Sequence, residues 1–323
     1  MSTMSLETKR SRETKRSRGI WDESFLANRK DASFDQIDRR SDLSYEEFIR
    51  EYVRRKRPVI ITDAAKDWPA LKAWNLEYFR DRYGDVALPG KSMLVRDMIN
   101  EMLSSSEQRP SSYAFSLQIP KLFPEMLRDL EPNPPYWQPN WLESPALLPG
   151  VPWHKLHHIT GLEVNIGGAF SKFPFIHYDD LWTQTFVTQV YGRKEWVLYP
   201  PNHTPFLYPK TPGGNFSRLP VEGDVDLDEF PLFENVKPIR FCIEPGEMFY
   251  NTPGWWHTTH ALTPSIAVVL STASSPVWPK ITWEVFKAAL RDHKWYKAPV
   301  VAAYYATYMT GFGIVRSVRD AFS

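Results

Sequence analysis

A histidine and an aspartate that stand two positions apart, His177 and Asp179, are the residues with which this sequence could best hold a metal ion. On an extended strand alternate side chains share a face, so both side chains could reach one point. An imidazole and a carboxylate that converge on one point are two of the three ligands of the 2-His-1-carboxylate triad, which binds iron(II). A buried histidine bonded to a nearby aspartate gives the same pattern, so the pair alone leaves both interpretations open.

The third ligand is expected in a later strand, which follows the Pro253-Gly254 turn. This strand contains His257 and His260, and strand alternation puts them on opposite faces, so only one of them can point inward. We predict that His257 is the ligand because it follows the turn closely.

Lys194 follows a turn at Gly192 and leads into another predicted strand, residues 195–199. An unpaired ammonium group inside a barrel of apolar strands is costly, so a lysine at this place needs an anionic partner. A lone lysine is most often a solvated surface residue. The histidine and aspartate motifs nearby favour the buried, anion-binding interpretation.

Several short motifs follow one another along most of the chain. They are Arg57-Pro-Val-Ile-Ile-Thr62, Trp68-Pro-Ala70 with Trp74, His177-x-Asp179, Gly192-x-Lys194, Leu198-Tyr-Pro-Pro201, Pro245-Gly-Glu247 and Pro253-Gly-Trp-Trp-His257. Because these motifs occur in this order over about residues 45–275, the sequence resembles the small JmjC-type, cupin-fold oxygenases that use Fe(II) and 2-oxoglutarate. It resembles in particular the protein hydroxylases related to the asparaginyl hydroxylase of hypoxia-inducible factor and to the phosphatidylserine-receptor-like lysyl hydroxylase.

The resemblance implies a ligand set and a cosubstrate site. His177, Asp179 and His257 match the iron ligands of the family. Lys194 matches the lysine that pairs with the distal carboxylate of 2-oxoglutarate, and Tyr113 matches a tyrosine that helps to bind the same carboxylate. The expected cofactors are therefore Fe(II), 2-oxoglutarate as cosubstrate, and O₂.

Two positions depart from the pattern of these relatives. Some relatives have a threonine three residues before the first histidine, where this chain has Pro174. Others have an asparagine on the last core strand, where this chain has Ser271. Ser271 is kept as a candidate cosubstrate-binding residue, and the secondary contacts to 2-oxoglutarate stay open.

The expected fold class is mainly β: a double-stranded β-helix, the jelly-roll core of cupin-like JmjC proteins, with flanking N-terminal and C-terminal helices. With 323 residues and 15% aromatic residues, the chain can bury one large β-rich core. Residues 1–20, which contain the repeat Glu-Thr-Lys-Arg-Ser-Arg twice, are expected to be a disordered basic tail. Residues 21–110 are predicted to pack on the core, 111–275 to form the catalytic core, and 276–323 to be helical.

Hydrophobic periodicity and turn residues predict the individual elements. The predicted helices are residues 44–53, 74–83 and 95–103, and the predicted strands are residues 58–62, 112–119, 161–166, 195–199 and 265–273. Ser44 followed by Glu47 fits a capping box at the start of the first helix.

Composition narrows the classes of partner and the compartment. The formal net charge of +1 gives no general attraction to nucleic acid. Cys242 is the only cysteine, so no intrachain disulfide can form, which fits a reducing compartment. No apolar stretch typical of a secretory signal is visible near Met1, so we expect an intracellular protein, cytoplasmic or nuclear or both.

The C-terminal segment contains 18 residues without a formal charge, 298–315. That length invites a transmembrane interpretation, but tyrosines, threonines and glycines make the segment only moderately apolar. We favour a helix that covers the core or forms a homodimer, and we expect no membrane association.

The resemblance implies a dioxygenase that hydroxylates a side chain of a protein or peptide and releases succinate and CO₂. One alternative is an N-methyl-lysine demethylase of the same family; the single cysteine excludes a zinc reader module of cysteines, which favours hydroxylation. Another alternative is a non-enzymatic cupin that binds a metal, since zinc also accepts two histidines and an aspartate. A purely structural metal would not require Lys194 to face the same pocket.

Overall fold

The computed structural model describes residues 16–21, 37–143, 161–292 and 296–322. Within these ranges the strands are β1 (Ser17–Gly19), β2 (Asp38–Arg40), β3 (Val59–Ile61), β4 (Tyr113–Gln118), β5 (Leu162–Gly167), β6 (Gln184–Tyr191), β7 (Lys194–Tyr199), β8 (Asp224–Asp226), β9 (Ile239–Ile243), β10 (Met248–Asn251), β11 (Trp256–Ala261) and β12 (Ser265–Thr272). The α-helices are α1 (Tyr45–Phe48), α2 (Ala70–Ala73), α3 (Leu76–Tyr83), α4 (Val95–Leu103), α5 (Ile119–Leu122), α6 (Trp278–Asp292) and α7 (Ala298–Phe322).

Two sheets face each other in the middle of the molecule. The major sheet has the strand order β2-β3-β10-β6-β12-β5-β4, and the minor sheet has the order β11-β7-β9. Their strands pair antiparallel except for the parallel pair β2 and β3. Val187 of β6 and Trp196 of β7 belong to one buried cluster, so the inner faces of the two sheets form a common core. The predicted mainly-β, cupin-like fold with flanking helices is confirmed.

The central strand β6 shows why the sequence specifies this architecture. Its first seven residues are all buried, because the minor sheet covers one face and a helical layer covers the other. Val187 packs toward the minor sheet, whereas Phe186 and Val190 pack into the cluster beneath the helices. A strand that is covered on both faces loses the alternation of apolar and polar residues that a half-exposed strand keeps.

The helices before residue 110 pack on the outer face of the major sheet. The Ser44 hydroxyl accepts a hydrogen bond from the Glu47 amide at 3.1 Å and so caps α1, which continues into a π-helical turn, Ile49–Val53; the Glu47 carboxylate accepts from Arg40. Helix α4 has the predicted bounds. The predicted helix 74–83 begins later, because Asn75 caps α3 by accepting from the Tyr78 amide at 2.7 Å while Trp74 is extended.

The segment Arg16 to Trp21 differs from the expected disordered tail, of which residues 1–15 lie outside the described part of the chain. Strand β1 pairs antiparallel with β8, and Arg16 Nη2 lies 2.6 Å from Glu234 Oε1. Ile20 is fully buried in the cluster that also contains Trp256. The buried Ile20 side chain, which follows the basic repeat closely, therefore holds the last residues of the repeat in place.

The C-terminal helices α6 and α7 pack on each other and on the segment around Trp141. The Trp278 indole donates to the Met309 carbonyl at 2.7 Å, and Gly313 leaves room for the same ring, since a Cβ there would lie 2.4 Å from Trp278 Cδ1. The outward stripe of α7 stays apolar and includes Val300, Ile314 and Val315, which are 73%, 62% and 67% exposed. No helix in the described ranges combines the length and apolarity needed to cross a bilayer.

Candidate active site

A cavity of about 210 Å³ lies between the major and the minor sheet. All the residues that the sequence proposed for the site line it: His177, Asp179, His257, Lys194, Tyr113 and Ser271. These residues come from β4, β7, β11, β12 and the segment before β6, so the fold brings together positions that are far apart in sequence.

We expected His177 and Asp179 to lie in a regular strand. They lie instead in an extended segment outside the regular strands. The backbone of His177 exchanges both hydrogen bonds with His257, at 3.0 and 2.7 Å, in an isolated antiparallel bridge. Asp179 keeps extended dihedral angles, φ −62° and ψ 142°, before a 3₁₀ turn at Asp180–Trp182. An extended backbone is enough to put alternate side chains on one side, which is why the pair still converges.

The three side chains form a compact donor set. Asp179 Oδ1 lies 4.0 Å from His177 Nε2 and 3.8 Å from His257 Nε2, and all three ligand atoms lie within 4.8 Å of one another. Bonds of about 2.0–2.2 Å to a shared metal would hold such atoms about 3 Å apart in an octahedral site, so a small contraction suffices. Two imidazoles and one carboxylate on one face of a site match the facial triad of non-haem iron(II).

The protonation of the histidines suits metal binding. Burial, and secondarily the neighbouring His257, lower the pKa of His177 well below its usual range, which keeps this imidazole neutral with a free lone pair. His257 Nδ1 lies 3.1 Å from the Trp255 carbonyl, which only accepts hydrogen bonds. We therefore assign the proton of His257 to Nδ1, which leaves Nε2 free to coordinate.

His260 lies on the other face of β11, as the alternation predicted. Its ring packs against Trp21 with centroids 5.1 Å apart, and its Nδ1 lies 3.7 Å from Glu195 Oε2. His260 is thus part of an outer cluster with Glu195 and Arg240.

Lys194 is the cation of the cavity. Its side chain is 1% exposed, and its Nζ donates to the Tyr113 hydroxyl at 2.6 Å. Among the described residues no carboxylate pairs with it, and burial lowers the pKa of Lys194 to about 7. Burial also raises the pKa of Tyr113, so its phenol stays protonated. A buried amine and a phenol that contact each other, with no anionic partner among the described residues, fit the carboxylate of a ligand.

The structure also shows where Ser271 and Arg193 lie relative to the cavity. Ser271 lies on β12 opposite Thr185 of β6 and lines the cavity. Arg193 points away from it, since its Nε donates to Glu244 Oε1 at 2.8 Å on the surface. The neighbouring side chains of Lys194 and Arg193 thus lie on opposite sides of the strand, as side-chain alternation requires.

Aromatic rings enclose the His177 side of the cavity. The His177 ring stacks on Phe173, with centroids 4.8 Å apart, and faces Phe216 at 6.0 Å. Phe115 and Phe175 extend this wall. Such a wall excludes water from the metal site and leaves the opposite side for a ligand.

Sequence reasoning missed two polar contributions to the site. Asn251, at the end of β10, donates from Nδ2 to Asp179 Oδ2 at 2.7 Å. Asn215 donates to Asp180 Oδ1 at 2.5 Å, and Asp180 and Glu163 add carboxylates to the cavity wall. Neither asparagine belongs to a local pattern, because each reaches the site through pairing that is distant in sequence.

Comparisons with known proteins agree with this geometry. The family model of the cupin-like domain matches residues 45–270. Similar curated proteins include lysine-specific demethylase JMJ21 of Arabidopsis thaliana, 32% identical over 73% of this chain and 25% of that protein. The bifunctional peptidase and (3S)-lysyl hydroxylase JMJD7 of Homo sapiens is 25% identical over 68% of this chain and 78% of its own. The 2-oxoglutarate and iron-dependent oxygenase JMJD4 of Gallus gallus is 22% identical over 72% and 59%.

This chain spans about a quarter of the length of JMJ21 and about half of the length of two further Arabidopsis thaliana relatives that it matches. The match to the family model covers most of the chain, including the segments that carry His177, Lys194 and His257, and the resemblance drawn from the sequence motifs is confirmed. This chain therefore belongs to the cupin-like domain family, together with relatives named as JmjC-type oxygenases, hydroxylases and demethylases.

Proposed function

We propose that this chain is an Fe(II)- and 2-oxoglutarate-dependent dioxygenase that hydroxylates a side chain of a protein. The observation that carries the proposal is that one cavity contains both the triad of His177, Asp179 and His257 and the buried Lys194, which pairs with no carboxylate of the described residues. A metal site alone would fit a structural cupin. A metal site that shares its cavity with a buried cation is suited to a ligand with an anionic end.

The residues have separate tasks in this proposal. His177 Nε2, Asp179 Oδ1 and His257 Nε2 would hold iron, which leaves three positions of an octahedral ion for ligands. Lys194 and Tyr113 would bind the distal carboxylate of 2-oxoglutarate, the amine by charge and the phenol by donating a hydrogen bond. Bound iron and 2-oxoglutarate supply the O₂-dependent oxidation of a C–H bond, with succinate and CO₂ as coproducts.

The relatives support a protein substrate. Their names assign a lysyl hydroxylase activity to one and lysine-specific demethylation to another. The wall carboxylates Asp180 and Glu163 suit a cationic side chain of this kind. Demethylation of N-methyl-lysine is the second candidate, and the 32% identity to a protein named as a demethylase favours it.

The test is turnover of 2-oxoglutarate by purified protein with Fe(II) and ascorbate in a lysate depleted of small molecules, followed by NMR of succinate. We expect succinate release that Asp179→Ala abolishes. Mass spectrometry of the proteins then separates the outcomes, since hydroxylation adds one oxygen and demethylation removes a methyl group. Metal binding without succinate release in any lysate would contradict the proposal and leave a binding cupin.

We further propose a homodimer formed through the C-terminal helices. The outward stripe of α7, with Val300, Tyr304, Ile314 and Val315, is apolar over several turns and exposed in the single chain. A second copy would cover it with the same stripe. Light scattering should give twice the chain mass of 37.6 kDa, and Ile314→Glu should halve it. A wild-type monomer would contradict the dimer alone.

The compartment is also a proposal. The single cysteine, Cys242, and the formal net charge of +1 fit an intracellular protein, cytoplasmic or nuclear, without specific binding of nucleic acid. Fractionation of cells that express a tagged chain would test this, and recovery in the secreted fraction would contradict it.

A further inference from the structure

We propose that Asn251 is a positioning residue that presents a single oxygen of Asp179 to the metal. The Asn251 amide nitrogen donates to Asp179 Oδ2 at 2.7 Å. The other oxygen, Oδ1, is the one that lies 4.0 and 3.8 Å from the two Nε2 atoms. The inference rests on the proposed iron site and adds a residue that the metal motif does not contain.

The orientation of the Asn251 amide follows from its surroundings. Its carbonyl oxygen would repel the carboxylate, so the nitrogen must face Asp179. The same nitrogen lies 3.3 Å from His257 Nδ1, whose proton goes to the Trp255 carbonyl. The amide thus lies against two of the three ligands and donates to the one that carries the negative charge.

The backbone of Asn251 is well held. The residue ends β10, which pairs with β6, so that Asn251 lies opposite Thr185 in the major sheet. Its side chain is 2% exposed. Since Asp179 lies outside the regular strands, before a turn with left-handed residues at Leu181 and Trp182, the sheet holds its carboxylate through Asn251.

The hydrogen bond from Asn251 matters because it limits the number of metal positions that Asp179 can occupy. A carboxylate that is free to rotate can offer both oxygens to a metal and occupy two positions. With Oδ2 engaged by Asn251, Asp179 offers only Oδ1, and three positions stay open for a bidentate cosubstrate and O₂. Partners of this kind typically change metal affinity or activity by about 10–100-fold when they are removed.

The experiment measures metal binding and ligand binding without turnover. Mn(II), which accepts the same ligands, is titrated anaerobically into the full chain and followed by EPR, and 2-oxoglutarate is then titrated into the Mn(II)-loaded protein by calorimetry. Asn251→Leu removes the donor at nearly constant volume. We expect Mn(II) affinity to fall about 10–100-fold, and 2-oxoglutarate affinity to fall as well because the freed Oδ2 competes for its position.

Gln184→Leu is the matched control, because Gln184 is also a buried amide of the major sheet but donates to the Tyr250 hydroxyl at 3.0 Å. It should lose thermal stability and keep its Mn(II) affinity. If Asn251→Leu does not fold, Asn251→Ala removes the donor without adding bulk.

A folded Asn251 variant that binds Mn(II) and 2-oxoglutarate as wild type does would overturn the inference, and so would an equal loss in Gln184→Leu. Either result leaves the proposed function standing. A wild-type chain that binds no Mn(II) would overturn both the inference on Asn251 and the proposed function. Failure of the inference can therefore be distinguished from failure of the proposed function.

Discussion

Replacing Lys194 with methionine removes the one buried cation that we assign to the cosubstrate and keeps the length and apolar stem of the side chain. In wild type the amine has Tyr113 as its hydrogen-bond partner at 2.6 Å, and no acid of the described chain competes for it. Loss of one partner of a buried charge pair typically costs about 2–5 kcal/mol. At about 1.4 kcal/mol per decade, the Kd for 2-oxoglutarate should rise by about 1.4 to 3.6 decades.

The assay is calorimetric titration of 2-oxoglutarate into the Mn(II)-loaded chain without oxygen, together with an independent titration of Mn(II). Mn(II) affinity should stay unchanged in Lys194→Met, because Lys194 is not a ligand. Arg193→Met is the matched control, since Arg193 is adjacent but bonds to Glu244 on the surface. It should bind 2-oxoglutarate as wild type does.

The titration also has a pH signature. Burial lowers the pKa of Lys194 to about 7, so above pH 7 the free amine is mostly neutral and must take up a proton when a dianion binds. The Kd of wild type should therefore rise with pH above 7, approaching tenfold per pH unit, and that of Lys194→Met should not. Unchanged 2-oxoglutarate affinity in a folded Lys194→Met protein would refute the assignment of this cation to the cosubstrate.

Two further predictions concern the same residues. Without ligand, the free energy of unfolding should rise between pH 7 and about 10, by up to about 1.4 kcal/mol per pH unit, because Lys194 binds its proton more weakly in the folded chain than in the unfolded one; urea titrations should show a flatter profile for Lys194→Met. Alanine at His177, Asp179 or His257 should abolish Mn(II) binding, whereas His260→Ala should retain it, because His260 lies in the outer cluster; EPR titration that reversed His257 and His260 would show that the ligand is misassigned.

Local sequence patterns were sufficient where a decision depended on one strand or one turn of the chain. Alternation along β11 showed that only one of His257 and His260 can point inward, and the closeness of His257 to the Pro253-Gly254 turn selected it; the structure has the two rings on opposite faces. Helix α4 follows from its apolar periodicity in the same way. The start of α3 was missed because the chain is extended at Trp74, where one short helix ends, and Asn75 caps the next helix through a single hydrogen bond.

Asn251 shows what local patterns cannot reveal. It lies in β10, and it reaches Asp179 only because β10 is the neighbour of β6 in the major sheet and the segment with Asp179 runs directly before β6. Strand order is set by the packing of the whole core, so no spacing in the sequence points to this pair. The same holds for Ile20, whose burial depends on the cluster around Trp256.

Strand register also explains how the two ends of the site stay apart. His257 is paired with Leu198, and Ala261 is paired with Lys194, so the metal ligand and the cation are four residues apart along β11 and β7. At about 3.3 Å per residue, their backbones are about 13 Å apart along the strands. Two side chains and a ligand with an anionic end must together span this separation. The ladder between β7 and β11 is continuous over all six pairs, so no bulge can shorten it. The backbone therefore fixes the separation that the side chains of His257 and Lys194 and a dianion between them must bridge.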